Sequence, residues 1–438
     1  MKARATRAAI WWLNPFWILV IPLVLVACVT WLIPEADYQL YWRLPKFFTG
    51  EDLALCLWVA FAFSIGCLLA VFLDRGLVRP SSAETLAAPS WTMLTRLFYC
   101  GLVVTVFAYM VWFGAILKQT GLGIIPAVLR GDSGAIYELI RLRKDAAITG
   151  ITSLTQVGIG VGLAGVFLGC QLGWKKVRWP LGLLFFLTLM RAVFLAERLA
   201  LIELMLPGVV LWFQLRGLRA GFARHLVNFA PLIGVVGLYS LFTFSEYFRS
   251  WGYYSEQGET SLLWFTLVRL SGYYVTSMNN GALLWHELGN LGFPYTTLDW
   301  IWKFPVIGGM VRDSLGGSDA PAALVSVIVL QDSNPEFNNP TGIFSTFTDY
   351  GVAGGLVFWV FYGCMLMLFY RAFQRGSIAG LMLYPFAFMA LTDQIRLFYL
   401  TSGRTFAAWA FLFAVIFVIR REIKGARLRK KPLPTAPR

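Results

Sequence analysis

The sequence predicts an all-α, polytopic membrane protein of about ten transmembrane helices, with both termini cytoplasmic and one large external loop. Three observations carry the prediction. Hydrophobic residues make up 58% of the 438-residue chain. Charged residues make up only 14%, roughly half the share of a soluble domain. The apolar residues also come in blocks of about twenty, the length a helix needs to cross a bilayer. Such a composition excludes a soluble enzyme, a disordered chain and a disulfide scaffold. The block length excludes a porin-like barrel, whose strands alternate over about ten residues.

Taken in order, the blocks place spans at about 15–33, 52–73, 93–117, 147–171, 180–195, 199–214, 226–244, 342–370, 377–395 and 402–420. The fifth and sixth come from one apolar run. A single helix over 181–214 would be about 50 Å long, too long for a core of about 30 Å. Two short helices meeting near Glu197 and Arg198 fit instead. The chain then divides into helices 1–7 (1–244), a large external loop with a membrane-surface helix (245–341), helices 8–10 (342–420) and a basic cytoplasmic tail (421–438).

Charge fixes the orientation. The chain carries 37 Lys and Arg against 23 Asp and Glu, a net charge of +14. With the N-terminus inside, most of the basic residues fall on the inner side, among them Lys175, Lys176, Arg371, Arg375 and the tail. Only Asp74, Glu84 and Glu422 of the acids join them. The positive charge is a topology signal and a contact with anionic lipid, so no nucleic-acid partner is needed.

The basic start and first apolar run resemble a signal peptide, and Leu25-Val26-Ala27-Cys28 resembles a lipoprotein cleavage site. The run continues through Val29 to Ile33, as a retained span does. All six cysteines lie in apolar blocks and read as packing residues.

Two outer connections are long, 118–146 and 245–341, and loops of this length usually carry function. In the larger one, Ser261 to Met278 reads as a helix on the outer leaflet, with Asn279-Asn280-Gly281 as its stop signal. Turn residues dominate from there to Pro340. The loop is rich in Trp and Tyr. Aromatic faces suit sugar rings, but an interfacial belt explains any single ring better.

Charges inside spans are costly and by default mark functional positions. Arg191, Glu197, Arg198, Glu203, Asp349, Asp393, Arg396 and Arg404 all fall at or near the outer ends of spans. This pattern describes a chamber open to the outer side rather than a path through the membrane. Arg191, Arg198, Arg269, Arg396 and Arg404 are candidate ligands for phosphate oxygens, which guanidinium groups bind bidentately. The plainer alternative pairs Arg198 with Glu197 or Glu203, and Arg396 with Asp393. Metal chemistry finds little support. The two histidines, His225 and His286, fall on opposite sides, and Glu35-x-Asp37 is the nearest approach to a paired-carboxylate motif. No nucleotide fingerprint occurs.

Three segments resemble the bacterial oligosaccharide repeat-unit polymerases, the Wzy-type O-antigen polymerases. They are Asn334-Pro335-Glu336-Phe337-Asn338-Asn339-Pro340-Thr341-Gly342 with Thr348-Asp349-Tyr350-Gly351 and Gly354-Gly355, then Ala196 to Glu203, and Arg269-Leu270-Ser271-Gly272-Tyr273-Tyr274 before Asn279-Asn280. The wider fold group resembles the GT-C glycosyltransferases and the O-antigen ligases. The resemblance implies an inner-membrane enzyme that takes a polyprenyl-pyrophosphate-linked oligosaccharide as donor and needs neither metal nor nucleotide sugar. It implies membrane lipids as surroundings, with flippase and chain-length regulator proteins as partners.

Chemistry then assigns roles. Lipid pyrophosphate leaves with developing negative charge, which Arg191, Arg198, Arg269 and Arg404 are placed to stabilise. Glu336, His286 and Asp349, in that order, are candidate bases for the acceptor hydroxyl. Glu336 also reads as a helix-entry charge, and a buried Asp349 wants an arginine partner. Tyr273, Asn280, Asn338 and Asn339 are candidate sugar contacts. An O-antigen or glycan ligase and a transporter of lipid-linked oligosaccharide are the competing readings.

Overall fold

The computed structural model describes residues 10–77, 90–130, 132–148, 150–195, 197, 199–216, 227–256, 258, 261–304, 307–318 and 320–428. Among these residues every regular element is helical. In chain order the helices are α1 (Pro15–Leu32), α2 (Glu35–Trp42), α3 (Gly50–Leu77), α4 (Thr92–Thr120), α5 (Ile124–Leu129), α6 (Ser133–Asp145), α7 (Val157–Leu172), α8 (Arg178–Phe194) and α9 (Leu199–Arg216). They continue with α10 (Ala230–Glu246), α11 (Gly252–Glu256), α12 (Leu262–Leu288), α13 (Asp299–Trp302), α14 (Gly308–Ser314), α15 (Ala320–Asp332), α16 (Ser345–Gln374), α17 (Ile378–Thr392) and α18 (Phe406–Leu428).

The chain is an all-α, multi-pass membrane-type protein. Among the described residues six helices are long and apolar enough to cross a bilayer: α1, α3, α4, α7 with its leading turn at Thr152–Gln156, α9 and α16. α10, α15 and α17 are apolar but shorter. Each apolar block of the sequence holds one helix, and the long run at 181–214 breaks between Phe194 and Leu199 as its length requires. Local chemistry sets several starts. Asn14 Oδ1 accepts from Phe16 N ahead of Pro15, Ser261 Oγ from Trp264 N, and Ser377 Oγ from Gly380 N.

Close backbone approach holds the bundle together. α3 and α16 pack along most of their length. A Cβ at Gly66 would run into the Val360 carbonyl, and one at Gly363 into the Phe63 carbonyl. Without such side chains the two backbones touch, the usual basis of helix association in lipid. The core around them holds Trp359, Tyr362, Tyr384, Phe386 and Phe388, all fully or almost fully buried.

The ends of the bundle differ. At one, Arg371 and Arg375 both pair with Asp74, and Glu422 accepts from Met93 N. At the other lie the starts of α3, α9, α16 and α18 and the ends of α8 and α17. That polar end carries Asp52, Arg191, Glu203, Asp349, Asp393 and Arg404.

Two expectations for the large loop need correction. The helix expected over Ser261–Met278 runs on to Leu288 and ends at Gly289, which has a φ of +56°. Asn279 and Asn280 do not stop it because their side chains find partners off the helix. Asn279 Oδ1 accepts from Phe47 N (2.7 Å) and Phe48 N (3.0 Å), and its Nδ2 donates to Pro45 O (3.0 Å). Asn280 Nδ2 donates to Phe337 O (2.7 Å) and Asn339 O (3.3 Å). With those bonds made, neither side chain competes for its own backbone. The stretch after this helix is also not turns alone, since α13, α14 and α15 lie within it.

Candidate functional site

The break between α8 and α9 creates the first cluster. Arg191 sits in the last turn of α8, and its Nε donates to Glu197 Oε2 (2.6 Å) in the connection. Arg191 Nη1 also reaches Thr155 Oγ1 (3.4 Å), and its guanidinium lies 5.2 Å from the Trp112 ring. Arg143, from α6, approaches Glu197 at 3.7 Å and donates to Leu195 O (2.9 Å). Burial opposes a charge on Glu197, but Arg191, with Arg404 and Arg143 behind it, holds its carboxyl below the usual range.

One turn into α9, buried Glu203 collects three further partners. Arg404 Nη2 lies 2.8 Å from its Oε1, Tyr399 OH donates to the same oxygen, and Gln156 Nε2 donates to Oε2 (3.2 Å). The space left among Tyr109, Thr155, Gln156, Thr188, Arg191 and Glu203 is only about 10 Å³. Beside this group, Arg396 Nη1 donates to Asp393 Oδ1 (3.0 Å). That pair is the one the sequence offered as the plainer alternative for Arg396. Asp393 Oδ2 and Arg396 Nε are buried without a hydrogen-bond partner among the described residues.

The second cluster gathers around Arg269 of α12. Its Nε lies 3.1 Å from Glu246 Oε2, at the end of α10, and its Nη1 is 2.7 Å from Glu336 Oε2. Tyr254 OH donates to the same Glu336 oxygen (3.1 Å). The rings of Tyr254, Phe265 and Phe337 stand 5.4–5.5 Å from the guanidinium. Burial alone would lower the pKa of Arg269, but Glu246 and then Glu336 raise it above its ordinary value. Burial, followed by the Glu336 charge, pushes the Tyr254 phenol up.

Tyr273 joins the two clusters. Its ring meets Phe337 edge-on at 5.3 Å, and the Arg396 guanidinium lies over it at 5.2 Å. Charge therefore runs from Arg269 past Tyr273 to Arg396 and on to Glu203, Arg404 and Arg191.

A third arrangement lies at the far end of α12. His286 Nε2 is 3.1 Å from Asp52 Oδ1. Asp52 is buried at the start of α3, and its Oδ2 accepts from Thr49 N and Thr49 Oγ1, both at 2.8 Å. The His286 side chain keeps 39% of its surface exposed.

The residues singled out from sequence are thus only partly brought together. Arg191 and Arg404 share one cluster, and Arg269 stands in another. Arg198 lies outside the described residues. Each described arginine of the set faces a carboxylate, Arg191 with Glu197, Arg269 with Glu336 and Glu246, and Arg404 with Glu203, because an unpaired buried guanidinium is too costly. Glu336 is the counter-ion of Arg269. Asp349 does not take the expected arginine. Its carboxylate accepts from Thr296 N, Thr297 N and Thr297 Oγ1, at 3.0, 2.7 and 2.8 Å to Oδ2. Asn280 and the Asn339 carbonyl brace the turn before α16, and Asn338 is exposed. Sequence reasoning missed Glu246, Tyr399 and Asp52. Glu246 was legible as an acid at the end of an apolar block. Asp52, which opens the second apolar block, was legible on the same ground, and nothing in the spacing points to Tyr399.

Comparison of the chain with protein-family models, with curated proteins and with solved structures finds no match.

Proposed function

We propose that the chain is a polymerase that joins polyprenyl-pyrophosphate-linked oligosaccharide repeat units into surface polysaccharide. In this reading it is a multi-pass protein of the bacterial inner membrane with ten spans and cytoplasmic termini, and its polar end faces the periplasm. The observation that carries the proposal is the pair of guanidiniums, Arg191 and Arg404, held against Glu197 and Glu203 at the tip of a broken helix. This is a preorganised polar group at the edge of an apolar bundle, where a lipid-borne diphosphate would arrive.

The chemistry follows from the charges. The acceptor hydroxyl attacks the anomeric carbon of the donor. The bond from that carbon to the diphosphate oxygen breaks, and the hydroxyl proton passes to a base. The diphosphate gains negative charge as it leaves, so guanidiniums fixed beforehand lower the barrier. The carboxylates keep the arginines paired before substrate arrives. Exchange of a carboxylate for phosphate oxygens leaves each buried cation compensated throughout. The narrow space beside Arg191 and Glu203 implies that the site opens locally as substrate enters, a gating step common among enzymes with lids.

Among the candidate bases, His286 has the most suitable setting, with a buried carboxylate behind one ring nitrogen. The second cluster, around Arg269 and Glu336, suits the other substrate, because a polymerase handles two lipid-linked diphosphates at once.

The test is reconstitution of the purified protein in vesicles with lipid-linked repeat units and nothing else. Growth of a glycan ladder is the expected result. Movement of the lipid across the bilayer without growth identifies a transporter. Transfer only to an acceptor other than a repeat unit identifies a ligase.

A further inference from the structure

Among the described helices, α15 presents an unusual surface. It reads Ala320-Pro321-Ala322-Ala323-Leu324-Val325-Ser326-Val327-Ile328-Val329-Leu330-Gln331-Asp332, with no charge before its last residue. None of its residues is buried. Leu324 is 49%, Val327 47% and Leu330 75% exposed, and Ala322 and Ser326 are exposed on other sides. A helix with one apolar face docks on a protein by that face. A helix apolar all round has no side suited to water.

The attachment of α15 shows what surrounds it. Asn334, two residues past its end, donates from Nδ2 to Trp42 O (2.9 Å), and Trp42 Nε1 donates to Val268 O (3.2 Å). The surface beside this tie is apolar and exposed. Leu32 ends the spanning helix α1 at 67% exposure, and Leu40, Tyr41, Leu263 and Trp264 continue from it. The patch is therefore continuous with the surface of a helix suited to lipid. At thirteen residues α15 is about 20 Å long, too short to cross a core of about 30 Å. Its backbone hydrogen bonds are internal, so hydrocarbon does not penalise it.

We propose that α15 is submerged in the acyl-chain layer of the leaflet at the polar end of the bundle. It does not cross, and the polar segments that flank it lead back to headgroup level. The ligand is the bilayer itself. Four residues past the helix, Glu336 holds Arg269, so α15 anchors the second charge cluster to the membrane surface. The inference does not depend on the polymerase reading.

The test places a nitroxide at residue 322, 324, 327 or 330, one at a time, in full-length protein. The vesicles contain phosphatidylethanolamine and phosphatidylglycerol, and residue 313 serves as a water-exposed reference. Submersion predicts several-fold greater collision with oxygen than with a water-soluble nickel chelate at all four sites. Chelate access like that of residue 313 at all four, or at those on one face, overturns the proposal. Hydrogen exchange on the unlabelled protein gives a second reading. Residues 320–332 should exchange several-fold more slowly in vesicles than in detergent, and equal rates would overturn the proposal.

Discussion

At the scale of single residues, the proposed function and the stability of the fold draw on the same ion pairs. On the proposed polymerase reading, Arg404→Ala should lower turnover by about 10²- to 10³-fold, the usual cost of removing one electrostatic stabiliser of a leaving group. A single-turnover assay of glycan extension measures it, and unchanged turnover would remove Arg404 from the transition state. Asp52→Asn leaves the His286 ring in place with a weaker partner. If Asp52 positions a base, kcat falls while KM holds, and Asp52→Glu restores part of the loss. A purely structural Asp52 would instead shift the melting temperature without that split. Glu197 gives a pH prediction. Its folded-state pKa lies below its ordinary value. Its contribution to stability is therefore complete above roughly pH 4.3 and is lost as pH falls through the lowered value. Melting curves from neutral to acid pH should show a steep acid limb in the wild type and a shallower one in Glu197→Gln. Parallel limbs would mean that other carboxylates govern acid unfolding.

At the scale of elements, the α3–α16 contact is the most extensive between described helices. Gly66→Val should destabilise the protein by about 1–3 kcal/mol, since a rigid backbone cannot yield to a new side chain. Thermal unfolding in detergent would show this as a lowered midpoint. The long helices were legible in the sequence because each apolar block holds one, although the block at 147–171 opens well ahead of α7 and α18 runs past its block to Leu428, and the short helices between blocks gave no such signal. The extent of α12 was not legible. Asn279 and Asn280 read as a stop because their partners, Pro45, Phe47 and Phe48 and the Phe337–Asn339 turn, lie far away in the chain. The ion pairs divide in the same way. Arg191 and Glu197 are six residues apart, and Arg396 and Asp393 three, so local spacing brings them within reach. Arg269 with Glu336 and Arg404 with Glu203 meet only through tertiary packing. The same holds for Asp349, whose amide partners at Thr296 and Thr297 come from a connection with no periodic signal.

At the scale of the whole molecule, charge is segregated along the bundle. Asp74, Arg371 and Arg375 hold one end, and the Arg191, Glu203 and Arg404 cluster sits near the other. The proposed orientation makes the first end cytoplasmic and the second external. Cysteines introduced at 176 and at 313 should then label from opposite sides of sealed vesicles with an impermeant maleimide. Labelling of both from one side would rule out the ten-span arrangement.

The glycine-lined seam between α3 and α16 also bears on biogenesis. One half of it leaves the ribosome early and the other only after most of the chain has been made. Until Gly363 arrives, the groove around Gly66 faces lipid or an insertase, so the bundle is completed from its last third back onto its first. A nascent chain that stops short of residue 345 would present an unfilled helix face to the quality-control proteases of the membrane.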